Sequence, residues 1–286
     1  MHGVGPPLVT PFRENGDIDH ERLRELVGWV EERGVDFLVP CGSNSEAELM
    51  TAGERERVIE TVVEAASVPV LAGTGSPGLR ETRQATAAAA EAGADAALVV
   101  TPFYYDHDQE TLAAYYRELA GAASVPIYLY SVPPYTGVRL APETVGELAS
   151  HSGIAGMKDS SGDVGAFVRT QNRVDGDFDM LVGSGAVVAQ ALDAGAAGGV
   201  LALANVTPEG ASAVFETHQD GDAGRARALN ADLVELNHAV TAEYGIPGLK
   251  WAMRERGAPA GHPRSPHREP DADAQEHLAA LVDDLG

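Results

Sequence analysis

Eight short apolar runs recur along the chain, at 4–9, 35–39, 68–72, 96–100, 126–130, 154–157, 180–182 and 200–203. None alternates apolar with polar residues, which is the pattern of strands covered on both faces. Amphipathic stretches separate them. Leu23, Leu26, Val27 and Val30 fall at i, i+3, i+4 and i+7 and make one helical stripe. Thr51 and Glu54 have the spacing of a capping box. Thr207-Pro208 puts a capping residue before a proline at the first helical position. The strand ends lie roughly 20 to 32 residues apart, about one strand plus one helix each. Eight such units predict a parallel (β/α)8 TIM barrel over residues 1–206, with a doubly wound open sheet as the alternative.

The beat changes after the eighth run. Helical patterns are expected at 208–218, 223–243 and 248–256, the second striped by Leu229, Leu233, Leu236 and Val240. A proline-rich, extended stretch at 259–270 precedes a last helix at 274–285. Residues 207–286 thus read as a C-terminal helical extension. It is too short for a separate catalytic domain, and suits an appendage or an oligomer contact.

Composition narrows the function. The 286 residues are 44% hydrophobic and carry a net charge of −23. So acidic a surface repels phosphate backbones and anionic lipid, and neither nucleic acid nor a membrane is expected as a partner. It suits a halophile's protein. The single Cys41 excludes an internal disulfide framework. The opening stretch to Phe12 has no basic region followed by an apolar run, so a cytoplasmic location is expected. Of the 20 basic residues only Lys158 and Lys250 are lysines.

Several motif matches fail on context. Gly73, Gly75 and Gly78 fit G-x-G-x-x-G, but in the third of eight units rather than at the start of a nucleotide-binding domain. Asp175, Asp177 and Asp179 mimic a calcium loop whose sixth and twelfth positions, Met180 and Ala186, are wrong. The nine histidines lack metal-ligand spacing, so no metal is expected.

Lys158 stands apart. It ends the run Ile154-Ala155-Gly156-Met157, and strand C-termini face the active site of a barrel. Desolvation there activates an amine to attack a ketone as a Schiff-base nucleophile. The other reading is a structural lysine paired with Asp159. Tyr130 ends the preceding strand and either shuttles protons for that imine or closes the barrel mouth with its ring. Gly42-Ser43-Asn44-Ser45-Glu46, after the second strand, offers hydroxyls and backbone N–H groups to a carboxylate, or is an ordinary polar turn.

Together these strings resemble the dihydrodipicolinate synthase / N-acetylneuraminate lyase family of class I aldolases and synthases. The likeness covers essentially the whole chain. Gly5-Pro6-Pro7-Leu8-Val9-Thr10-Pro11-Phe12, the Gly42–Glu46 string, Thr101-Pro102-Phe103-Tyr104-Tyr105, Tyr130-Ser131-Val132-Pro133, Gly156-Met157-Lys158-Asp159-Ser160 and Ala204-Asn205-Val206 carry it. The resemblance implies a cofactor-free barrel enzyme, usually a homotetramer built as a dimer of dimers, acting on a small 2-keto acid. By it, Lys158 forms the imine, Tyr130 and Ser43 relay protons, and Tyr104 enters a neighbouring subunit's site. Asn44 and Gly42 lie beside the substrate carboxylate, while Ser160 and Gly183 line the substrate.

One departure bears on the substrate. Lysine-biosynthesis members resemble Y-x-V-P-x-R-T-G, whose arginine holds the carboxylate of aspartate semialdehyde. Here Tyr135 takes that place, and a phenol cannot pair bidentately with a carboxylate. The resemblance then favours an aldolase of carbohydrate breakdown, of the Entner–Doudoroff kind. It would cleave 2-keto-3-deoxygluconate, or its 6-phosphate, to pyruvate and glyceraldehyde or its phosphate. Dihydrodipicolinate synthesis and 4-hydroxy-2-oxoglutarate cleavage are the alternatives, and a non-catalytic keto-acid-binding barrel is a third kind of reading.

Overall fold

The computed structural model describes residues 1–285. Seven parallel strands form one sheet: β1 (Gly3–Gly5), β2 (Leu71–Gly73), β3 (Ala96–Val100), β4 (Ile127–Ser131), β5 (Ile154–Asp159), β6 (Asp179–Val182) and β7 (Gly198–Val200). Their spatial order is β1-β7-β6-β5-β4-β3-β2. The expected strand at 35–39 forms no ladder, only the parallel bridge Leu38–Val70. It still closes the sheet. Val39 N donates to Pro6 O and Asp36 N to Val4 O on the β1 side, while Leu38 N donates to Pro69 O and Leu71 N to Leu38 O on the β2 side. Pro6, Pro7, Pro40 and Pro69 supply no N–H here, so the ladder is interrupted without being lost. The first two also shorten β1 from the expected 4–9. The result is an α/β barrel of the TIM kind.

Two shells of core follow from the strand alternation. Ala97 and Val99 of β3 belong to the layer between sheet and helices. Leu98, Tyr128, Tyr130 and Leu181 belong to the barrel interior. Lys158 is in register with Tyr130 on one side and Leu181 on the other, which turns its side chain inward. β5 runs past the apolar stretch 154–157 to Asp159, which places Lys158 near the strand's end, as expected. β7 lies earlier than expected, because Ala202 already has helical dihedrals and Leu203–Val206 is a helical turn.

The capping box at Thr51 forms: Thr51 Oγ1 accepts from Glu54 N at 3.3 Å and Glu54 Oε2 accepts from Thr51 N at 2.8 Å. Pro208 opens its helix as expected, but Thr207 makes no capping bond. The helix Pro208–Gln219 packs on β1. The long helix expected at 223–243 is instead Ala223–Asp232, Val234–His238 and a π-helical turn, Ala239–Glu243. Helices Gly245–Glu255 and Ala272–Asp283 follow. Among the described residues no helix is long and apolar enough to cross a membrane.

Candidate active site

A cavity of about 600 Å³ opens at the C-terminal ends of the strands. Gly42, Ser43, Gly73, Val100 and Tyr130 line its barrel side, and Tyr135 and Thr136 its rim. The C-terminal segment 241–247 and His267 close the other wall. Hydrophobic periodicity does not mark that wall. The leucine stripe over 223–243 gives no sign of the π-helical turn that brings Thr241 and Glu243 to the cavity.

Lys158 is 4% exposed and is not itself a lining residue. Its Nζ rests 4.3 Å from the centroid of the Tyr130 ring. Tyr130 OH reaches toward the cavity, 3.4 Å from Ser43 Oγ. The structural alternative for Lys158 fails. Adjacent strand residues point to opposite faces, and the Asp159 carboxylate accepts the Ser161 N–H at 2.8 Å instead. Burial raises the Asp159 pKa. Lys158 is therefore a buried amine with an aromatic face beside it and no ion-pair partner among the described residues.

The turn Ser43–Ser45 is held from below. Gly42 N donates to Ser45 Oγ at 3.1 Å, Ser45 Oγ donates to Leu8 O, and Glu46 N donates to Ser43 O at 3.1 Å. These bonds occupy the Gly42 N–H and leave those of Ser43 and Asn44 without a protein acceptor among the described residues.

Gly183 follows β6 beside Lys158, and its N–H donates to Asp159 O at 2.7 Å. A Cβ there would lie 1.8 Å from Ser160 Oγ and 3.0 Å from Lys158 Cε. A side chain here would collide with Ser160 and press on the lysine. Ser160 is thus brought to the site together with Gly183.

Tyr104 is not brought in. It is 86% exposed, has a positive φ of 80°, and stacks edge-on against Tyr105. Within this chain its neighbour Phe103 reaches the cavity instead.

Comparison with known proteins decides the family. The dihydrodipicolinate synthetase family matches residues 1–285. The chain belongs to that family. An uncharacterized DapA-like lyase of Halobacterium salinarum is 39% identical over 100% of this chain and 94% of its own length. A 4-hydroxy-tetrahydrodipicolinate synthase of Haloarcula marismortui is 37% identical over 99% of this chain and 93% of its own length. Among solved structures, the dihydrodipicolinate synthase of Acinetobacter baumannii, crystallised with pyruvate, superposes with a TM-score of 0.95 at 32% identity, covering 100% of this chain and 98% of that one. The protein is a family lyase of the pyruvate-dependent class I aldolase type. The names of these relatives do not support the expected preference for a keto-deoxy sugar acid, nor a place in carbohydrate breakdown. They favour the synthase alternative.

Proposed function

We propose that Lys158 forms a Schiff base with pyruvate and that the resulting enamine adds to an aldehyde in the manner of a 4-hydroxy-tetrahydrodipicolinate synthase. One observation carries the imine step: a buried lysine without an ion-pair partner among the described residues, set against a tyrosine whose hydroxyl meets Ser43 at the cavity. The relatives' names support the synthase direction.

In this reading the Lys158 amine attacks the keto carbon, and the former carbonyl oxygen leaves as water. Tyr130 gives and takes the protons of that step, with Ser43 as the next link. Loss of a proton from the methyl carbon turns the iminium into an enamine. That enamine bonds to the aldehyde carbon, the aldehyde oxygen gains a proton, and the amino group of aspartate semialdehyde then displaces the Lys158 nitrogen from the new iminium, closing the ring and freeing the lysine. The N–H groups of Ser43 and Asn44 hold the pyruvate carboxylate, since that of Gly42 is occupied. Gly183 and Ser160 leave room beside the lysine. Tyr104, exposed here, completes the relay in a neighbouring copy, within a dimer of dimers.

Tyr135 favours a second reading. The rim carries this phenol where the synthase string has arginine, and no arginine or lysine lines the cavity among the described residues. Such a wall suits a neutral hydroxyaldehyde, as released from 2-keto-3-deoxygluconate, and disfavours the 6-phosphate.

The test has two stages. Incubation with pyruvate and borohydride should add about 72 Da to Lys158 alone; a folded protein without adduct sinks the imine. Pyruvate is then offered with aspartate semialdehyde or with glyceraldehyde. Faster consumption of aspartate semialdehyde supports the synthase, and the reverse order establishes the sugar-acid reading.

A further inference from the structure

The second lysine, Lys250, lies on helix Gly245–Glu255 with a side chain that is 0% exposed. Its ammonium has three protons and three acceptors. Nζ donates to Thr10 O at 2.7 Å, to His262 O at 2.8 Å, and to Glu46 Oε1 in an ion pair. The second oxygen of Glu46 accepts from Arg264 N at 2.8 Å and lies 2.9 Å from His267 Nδ1. The Lys250–Glu46 pair therefore joins the segment after β1, the cavity turn, helix Gly245–Glu255 and the tail at 262–267.

Glu46 also has a left-handed backbone, with φ of 57° and ψ of 36°. A residue with a side chain stays there only when its surroundings hold it. In that conformation its N–H meets Ser43 O and closes the turn. Ser43 Oγ in turn lies 3.4 Å from Tyr130 OH, at the long end of hydrogen-bonding range, where a small displacement breaks the contact.

We infer that Lys250 is a positioning residue which, through the Glu46 carboxylate, holds Ser43 in line with Tyr130 and so couples the C-terminal tail to proton transfer. The catalytic part of this inference rests on the imine reading above. Lys250 touches no reacting atom. Its effect on Ser43 passes through the turn.

Two measurements test it. Hydrogen exchange of the peptide spanning residues 42–49 should quicken at least about tenfold in Lys250→Met, because the turn loses its anchor. Steady-state kcat should fall about 10- to 100-fold, the scale of a misplaced catalytic group, with pyruvate still trapped on Lys158 to the wild-type extent. In a Ser43→Ala background, Lys250→Met should cost little more. A merely structural role predicts losses that multiply instead. Should Lys250→Met fail to fold, Glu46→Gln keeps the side chain's shape and the two carbonyl bonds of Lys250, and takes its place in both measurements. Unchanged exchange, unchanged kcat or multiplicative losses each overturn the inference. Absence of a wild-type pyruvate adduct overturns the imine reading instead, and the exchange result then stands on its own for the anchoring of the turn.

Discussion

The chain has two lysines, and the fold treats them in opposite ways. Lys250 is sealed in the core with every proton accepted and a carboxylate in contact. Lys158 lies near the cavity with an aromatic ring beside it and no carboxylate paired with it among the described residues. Burial lowers the Lys250 pKa to about 8, against the pull of Glu46. A fully partnered amine has no free lone pair or open face for a ketone. An unpartnered one beside a cavity has room for one. Burial of a lysine is thus common to both, and the partners decide whether it holds a structure together or reacts.

The largest effect should come from Lys158→Ala. Turnover is expected to fall by roughly 10³-fold or more, with no borohydride adduct and an unchanged circular dichroism spectrum. Stability separates the two lysines in the other direction. Lys250→Met leaves the Glu46 carboxylate buried beside an apolar chain and should cost about 3–5 kcal/mol in denaturant melts. Adding Glu46→Gln should recover part of that loss, since no uncompensated charge remains. Lys158→Met strands no partner, and its stability should stay within about 1 kcal/mol of wild type. Equal losses at both positions would remove the contrast.

Next comes Gly183→Ala. The added methyl meets Ser160 Oγ and presses on Lys158 Cε. Imine formation should slow about 10- to 100-fold, read as the rate of trapping with pyruvate. Wild-type trapping in this variant would show that the lysine does not need that space. Tyr135→Arg is expected to act on the aldehyde rather than on pyruvate. It should raise kcat/KM for aspartate semialdehyde several-fold, with the trapping rate unchanged, by supplying the guanidinium that a carboxylate can pair with.

Lys158, Tyr130 and Ser43 were legible because strand ends in a barrel converge on one face, so position along the chain stood in for position in space. The strand at 35–39 was legible as an apolar run but not as an interrupted one, since the gaps arise from prolines on its neighbours as much as its own. Glu46 was legible as part of a string, not as an anchor. Its partners Lys250, Arg264 and His267 lie more than 200 residues on, and nothing local at either end marks the pairing. The rarity of lysine singled out Lys250 without showing what it does. The cavity wall at 241–247 was hidden for a related reason: a regular stripe of leucines cannot reveal where the helix widens.

The smallest effect concerns the tail that surrounds Lys250. Arg264 donates to Glu54 Oε1 at 2.7 Å, tying the tail to the helix Ala52–Ala65. That bond is the largest cause holding the Glu54 pKa down at about 2; burial opposes it and the Thr51 N–H adds to it. A carboxyl that is more acidic folded than unfolded binds fewer protons when folded, so stability rises with pH across the interval. Its stabilisation is complete above the ordinary value near 4.5 and is lost as the pH falls toward 2. Arg264→Gln should therefore lower stability by about 1 kcal/mol at neutral pH and flatten the decline below about pH 4.5. Thermal melts of the two proteins should converge as the pH approaches 2. Parallel curves throughout would mean that the bond between tail and helix is formed equally well without the charge.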